Sequence, residues 1–172
     1  NELQKEILTL ARCSSDVMIE NPNEPVEKWV MSGADLERNI VKAAAKHGIT
    51  QSQTERTGVQ VRIPFSSKYK FSVTRIPASY LPEHFNQFED PHVVMGAPDV
   101  LIERSYLDHD TKQRLNEAIK THSNYGSRVL GIGLLTPHTD PDNISLDHVK
   151  NLTFLGVLSF VDPIRPEVKE SL

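Results

Sequence analysis

The sequence predicts an α+β fold, an antiparallel sheet with helices packed on it. Two neighbouring runs, residues 58–65 and 69–76, alternate apolar and polar side chains like the strands of a hairpin. Helical and strand patterns are mixed along the chain without the strict strand-helix-strand alternation of a parallel sheet. The 172 residues are enough to bury a core of their own.

The first half of the chain provides two helices and the hairpin. Residues 3–13 carry an apolar stripe at helical spacing, and residues 32–49 carry a second one that closes on Lys-His-Gly. A polar Ser-Ser-Lys turn joins the two hairpin strands. Residues 77–92 are too rich in proline for a strand interior, so an excursion is expected there.

The second half begins with the stretch "VVMGAPDVLIERS", which predicts the end of a strand at Val93 and Val94, a turn at Gly-Ala-Pro, and a helix start at Asp99. A longer helix is predicted from about Asp110 to His122. The apolar run 127–135 predicts a strand, 136–148 a loop, and 152–162 a last strand.

Composition excludes several classes of function. The formal net charge of −4 gives no general attraction for nucleic acid or for anionic lipid. No apolar run approaches the roughly 18 residues that a membrane span needs. The single cysteine, Cys13, cannot form an internal disulfide, which favours a reducing compartment, and its apolar neighbours favour a buried thiol over a nucleophile.

The usual catalytic motifs are weak or absent. Neither a Gly-x-Ser-x-Gly elbow nor a Walker A loop occurs in the sequence. His109 between two aspartates, and His138 with Asp140 and Asp142, offer metal-binding residue types but no second histidine at helical spacing. Aspartates in such short loops more often cap helices and form turns, and we expect no metal site.

Five stretches, taken in order, resemble the nucleotide-binding (N) domain of P-type cation-transporting ATPases. They are "SGADLE", "IPFSSKYKFSV", "VMGAPDVLIERS", "SRVLGIGLL" and "LTFLGVLSFVDPIRPEVKESL". The last is the most specific, because it is similar to the segment with which that family's chain returns to its phosphorylation domain. The hairpin motif is more similar to the Ca²⁺ and Na⁺,K⁺ group than to heavy-metal pumps, whose His-Pro signature is absent here.

The resemblance implies a cytosolic domain of an integral membrane pump, with a twisted antiparallel sheet and a site for ATP, or Mg-ATP in the full-length protein. The expected partners are ATP and the phosphorylation and actuator domains of the same polypeptide, with the membrane reached only through other segments. The family's phosphorylated aspartate, in Asp-Lys-Thr-Gly-Thr, does not occur in this sequence. We therefore expect a fragment that is not an enzyme by itself.

The site residues carried over from the resemblance are led by Phe65, which takes the adenine-stacking role. Glu37 matches the acidic partner of the adenine amino group, and an ionised carboxylate accepts from such a donor. Arg128 matches an arginine whose planar guanidinium can hold phosphate. Ser67 belongs to the matching hairpin, and Gly96 is expected to let the backbone approach the base without a Cβ atom in between. From the residues alone, a core position for Phe65 and a solvated helix-start position for Glu37 remain open.

Two departures concern lysines. The family's hairpin lysine, counted forward from Phe65, falls on Lys70, whereas counting back from Ser72 selects Lys68. We favour Lys68, although in a strand both would point to the same side. The family's lysine before Gly-Ala-Pro is replaced by Met95, which can pack against a purine but cannot attract phosphate. The resemblance therefore implies a pocket that is still shaped by this turn but binds more weakly.

The resemblance also implies the division of the chain. Residues 1–155 are expected to form the nucleotide-binding domain, and residues 156–172 the hinge segment, with Asp162 and Arg165 as its matching residues. The alternative is a domain that keeps this fold, has lost useful nucleotide binding, and serves a structural or regulatory role. A third possibility, an independent binding protein, would require "DPIRPEVKESL" to end a natural chain, and this segment resembles an unfinished helix.

Overall fold

The sheet and its helices are seen in a computed structural model, which describes residues 2–49, 58–87, 89, 91–123, 127–135, 140 and 142–161. The helices are α1 (Glu2–Ser14), α2 (Asp35–Lys46), α3 (Pro98–Glu103) and α4 (His109–Ser123). The strands are β1 (Met18–Ile19), β2 (Met31–Ser32), β3 (Gln60–Ile63), β4 (Phe71–Arg75), β5 (His92–Gly96), β6 (Ser127–Leu135) and β7 (Thr153–Val161).

The main sheet has five strands in the order β3-β4-β5-β6-β7, and every neighbouring pair is antiparallel. Sequence order and spatial order agree, so the sheet is a meander into which α3 and α4 are inserted between β5 and β6. The predicted α+β fold with an antiparallel sheet is confirmed, including the hairpin of β3 and β4. A separate two-stranded sheet joins β1 to β2.

Each face of the sheet is covered by its own core. The first core contains apolar residues of α1 and α2 together with Val93, Met95, Leu130 and Ile132 from the sheet. Because side chains alternate along a strand, Phe71, Val73 and Val94 point to the other face and form the second core with Leu101 of α3. Cys13 is fully buried, as the sequence predicted.

The predicted boundary after residue 155 falls inside β7. Its residues beyond that point remain paired with β6, from Gly156 opposite Ile132 to Val161 opposite Ser127. Residues 156–161 are therefore part of the sheet, while Asp162 and Arg165, the predicted hinge residues, lie outside the described residues. None of the helices in the described ranges is long and apolar enough to cross a membrane.

Candidate nucleotide site

One end of the sheet gathers most of the candidate residues. Residues 64–70 connect β3 to β4 at this end, and the first residue of β4, Phe71, is paired with Gly96, which ends β5. Gly96 is in turn paired with Gly131, three residues beyond Arg128 in β6. The hairpin, the Gly-Ala-Pro turn and the start of β6 therefore lie at the same end, with Arg128 about 10 Å farther out along the strand direction.

Phe65 is exposed on the β3–β4 connection, with 65% of its surface open to solvent. The neighbouring aromatic residue on the same hairpin, Phe71, is completely buried in the second core. The core interpretation of Phe65 is therefore wrong. A large aromatic side chain presented to solvent offers a flat apolar surface on which a base can stack.

Ser67, Lys68 and Lys70 are also exposed, but the strand geometry expected for the two lysines is wrong. Lys68 lies in the turn, and Lys70 has a φ angle of 61°, in the left-handed region that few residues other than glycine adopt. Neither residue belongs to a strand, so the alternation of strand side chains does not orient them. Among the residues that the structure describes, no carboxylate forms an ion pair with either ammonium group.

Gly96 lies directly against the backbone of the hairpin. A Cβ atom at this position would lie 2.3 Å from the carbonyl oxygen of Lys70 and 2.6 Å from Cα of Phe71. The backbone of the hairpin thus fills the space that a Cβ atom on Gly96 would occupy, while the approach of a base to Gly96 stays a prediction. Its glycine allows β4 and the turn before it to pack closely on β5.

Met95 is only 5% exposed and packs in the first core beside Val93. Its strand partners are Ser72 on one side and Ile132 on the other. The residue that stands at the position of the family's lysine is therefore a core side chain in this structure.

Glu37 lies on α2 and Arg128 on β6, and each has a neighbour that packs in the first core. Glu37 is half-buried in the first turn of α2, where the preceding Leu36 packs against the first core. Arg128 is exposed, lies opposite Phe160 of β7, and shares its sheet face with Leu130 of the first core. Leu36, next to Glu37, and Leu130, on the same sheet face as Arg128, thus belong to the core that contains Met95.

Two of the four aspartates that offered metal-binding residue types have other roles. Asp108 accepts hydrogen bonds from the hydroxyl of Thr111 (2.7 Å) and its backbone N–H (2.8 Å), which caps α4 and lowers the pKa of the carboxyl group. Asp142 forms ion pairs with Arg62 (2.5 Å) and Arg75 (2.9 Å). Within the described ranges, no group of three or more His, Cys, Asp or Glu side chains is arranged to hold a metal ion. His138 lies outside the described residues.

Two concave surfaces of about 520 Å³ each lie elsewhere. One is formed between α1 and β7, and its lining includes Lys5, His47 and Leu158. The other lies between α1 and the excursion, beside Glu6 and Tyr80. Neither lining contains any of the candidate residues. Stacking of a base needs a flat aromatic face and does not need an enclosed cavity, so the lack of candidate residues in these two linings does not argue against the hairpin end.

Tyr69 is a residue of this end that the sequence did not single out. Its hydroxyl group donates a hydrogen bond to the carbonyl oxygen of Pro64 (3.1 Å), immediately before Phe65. The alternating pattern predicts Tyr69 as the first residue of the second hairpin strand, whereas it lies in the turn before β4 begins at Phe71.

Comparisons with known proteins agree with the resemblance. Residues 3–167 match the family model described as P-type ATPase, cytoplasmic domain N. The chain is 29% identical over 175 aligned positions to Potassium-transporting ATPase alpha chain 2 of Cavia porcellus, an alignment that covers 87% of this chain and 16% of that protein. The chain thus spans about a sixth of that relative's length. Because the family model covers nearly all of its residues, the chain belongs to the family of P-type ATPase cytoplasmic N domains.

Proposed function

We propose that this domain binds ATP at the hairpin end of its sheet and, in a complete pump, positions it for phosphorylation of an aspartate in the adjacent domain. The exposed ring of Phe65 is the observation that carries the proposal. In this arrangement the adenine stacks on Phe65, Glu37 accepts from its amino group, and Lys68 or Lys70, with Arg128, faces the phosphates. An aromatic ring can stack on a base, a carboxylate can accept from an amino group, and a guanidinium or ammonium group can attract phosphate.

The affinity that such a site can supply is modest. A stacked base contributes about 1–3 kcal/mol, and a millimolar Kd needs only about −4 kcal/mol in total. The cations at the hairpin are exposed, so their attraction for phosphate is screened by water and salt. We expect weak binding of ATP, with Mg²⁺ accompanying the phosphates in the complete protein.

The rest of the pump completes the reaction in this proposal. The phosphorylation domain supplies the acceptor aspartate, the actuator domain belongs to the same polypeptide, and ion translocation takes place in membrane segments outside this sequence. On this view the domain lies on the cytoplasmic side of an integral membrane protein. The chain alone should bind ATP without hydrolysing it, because its sequence contains no Asp-Lys-Thr-Gly-Thr motif.

A second candidate is a domain that keeps this fold but has lost useful nucleotide binding, and acts as a structural or regulatory element. The burial of Met95 favours it, because the family's lysine at this position is replaced by a core residue. The two candidates differ in one measurable property, which is binding of ATP by the folded chain.

Isothermal titration of the 172-residue chain with ATP tests the proposal. Phe65→Ala should weaken binding about ten- to hundredfold, the loss of one stacked base. Tyr106→Ala is the matched control, because Tyr106 is an exposed aromatic residue (86%) that lies outside the hairpin. Equal affinity of the parent and the Phe65→Ala variant would contradict the proposal, and absence of binding by the folded parent would favour the second candidate.

A further inference from the structure

The turn that carries Phe65 is held by a set of internal hydrogen bonds. The backbone N–H of Lys70 donates to the carbonyl oxygen of Ser66 (2.7 Å), and the N–H of Lys68 donates to the Ser66 hydroxyl (3.1 Å). On the far side, the carbonyl oxygen of Lys70 accepts from the N–H of Ala97 (2.9 Å). The C-terminal half of the turn is thereby tied to β5.

Tyr69 ties the N-terminal half of the turn to the core. Its ring packs against the second core and meets the buried ring of Phe71 at a centroid distance of 5.2 Å and an angle of 51°. Phe71 is itself covered by the guanidinium group of Arg104, 5.1 Å from its ring centroid. The hydroxyl of Tyr69 therefore extends from an anchored ring to the carbonyl oxygen of Pro64.

The Pro64 carbonyl is well placed to control Phe65. A peptide unit is planar, so the carbonyl oxygen of Pro64 and the backbone nitrogen of Phe65 share one plane. Proline also restricts its own φ angle. When Tyr69 fixes this oxygen, it fixes the peptide plane that precedes Phe65. Because the Phe65 side chain is mostly exposed, few neighbours hold it, and its direction depends on this backbone plane.

We propose that Tyr69 is a positioning residue, which holds Phe65 ready to stack on the base through its hydrogen bond to Pro64. The inference rests on the proposed function, because it assigns Tyr69 a role only if Phe65 binds a base. Fixing a binding group in its bound orientation lowers the entropy lost on association, so this single hydroxyl contributes to affinity without touching the nucleotide.

Tyr69→Phe tests the inference, since it removes the hydroxyl and retains the ring that packs on Phe71. It should weaken ATP binding about three- to tenfold, which is the effect of one hydrogen bond. The unfolding temperature of the variant should stay within a few degrees of that of the parent. Adenosine and ATP should lose the same factor, because the effect is transmitted through the base. Tyr106→Phe, the same change on an exposed tyrosine outside the hairpin, should have no effect.

A double-mutant cycle separates positioning from a general structural role. In the Phe65→Ala background, Tyr69→Phe should cause no further loss of affinity, because the ring that it positions is gone. Full additivity, or unchanged binding by Tyr69→Phe alone, would overturn the inference while leaving the role of Phe65 intact. Equal binding by the parent and Phe65→Ala would instead overturn the proposed function, and the positioning role with it.

Discussion

The carbonyl oxygen of Lys70 lies 2.3 Å from the point that a Cβ atom on Gly96 would occupy. This contact joins the β3–β4 connection to the strand that ends in the Gly-Ala-Pro turn. It also explains, without a ligand, why a residue with no Cβ atom stands at this position. In this chain, Gly96 thus allows one backbone segment to pack directly against another.

Gly96→Ala should destabilise the fold strongly. The added methyl group would meet backbone atoms of Lys70 and Phe71, which cannot rotate away as a side chain can. Overpacking of this kind costs about 1–3 kcal/mol and sometimes more, so urea denaturation should show a large decrease in the free energy of unfolding. Gly48→Ala is the comparison, because nothing lies within 4 Å of a Cβ there, although its φ of 74° adds some strain. If the Gly96→Ala variant were as stable as the parent, the backbone at Lys70 and Phe71 would have to move aside for the methyl group without cost, contrary to this prediction.

Met95→Lys should lower stability and should not tighten ATP binding. The side chain at this position is almost fully buried among apolar side chains, so an ammonium group in its place would lose much of its hydration. A cost of about 2–4 kcal/mol is expected, whereas the control Met95→Leu should cost less than about 1.5 kcal/mol. Thermal unfolding of both variants provides the measurement. Tighter ATP binding by a fully stable Met95→Lys variant would show that the lysine tip reaches the nucleotide, contrary to this account.

Stability should depend on pH through His84. Its ring forms a hydrogen bond with Glu6 (2.7 Å), which is the main reason that the pKa of His84 is raised, and the charges of Glu6, Glu83 and Glu2 add to the increase. Since the folded-state pKa lies above the unfolded value near 6.5, the stabilisation is fully present below that pH and is lost as the pH rises through the folded-state pKa. Urea midpoints from about pH 5.5 to about pH 8.5 should therefore fall with pH.

His84→Gln should remove this part of the pH dependence. His109→Gln, which changes an exposed histidine at the start of α4, should leave it unchanged. If the His84→Gln variant keeps the same fall in stability between these pH values, the excursion is not held to α1 by a protonated histidine.

The two hairpin lysines should be distinguishable by their response to salt. Lys68→Gln should weaken ATP binding about two- to fivefold at low ionic strength, in line with about 0–1 kcal/mol for an exposed ion pair, and the effect should shrink as salt is added. Adenosine, which lacks phosphates, should bind both proteins equally. Lys70→Gln should have a smaller effect, and a reversed order of the two variants would assign the phosphate contact to Lys70.

The long helices and strands could be predicted because a pattern of apolar and polar residues is easier to recognise over many residues. Strand β6 was predicted at residues 127–135, the range that the structure has, because a continuous apolar run stands between polar segments. Strands β1 and β2 were missed, since each has two residues and two residues have no periodicity. Strand β3 ends at Ile63, before Pro64, which has no N–H to donate to a ladder.

The roles of the candidate site residues stay predictions, and the contacts among them are what the sequence could not predict. The exposure of Phe65 agrees with the stacking role implied by the resemblance, because a ring that stacks on a base must be open to solvent when no base is bound. The contact of Gly96 with Lys70 and the burial of Met95 depend on how β4, β5 and α1 pack together, and these are distances between segments far apart in the sequence. The hydrogen bond of Tyr69 to Pro64 closes a turn in which Lys70 has a φ angle of 61°, and no propensity of lysine predicts that angle.

The most direct test of the central claim is a map of the backbone amide resonances that shift when ATP is added to the ¹⁵N-labelled chain. The account predicts that the largest shifts fall on residues 65–70 of the hairpin, on Gly96 and Ala97, and on the first turn of α2 around Glu37, and that Phe65→Ala greatly reduces them at the same ATP concentration. Shifts concentrated instead on the cavity between α1 and β7, around Lys5, His47 and Leu158, and unaffected by Phe65→Ala, would contradict it.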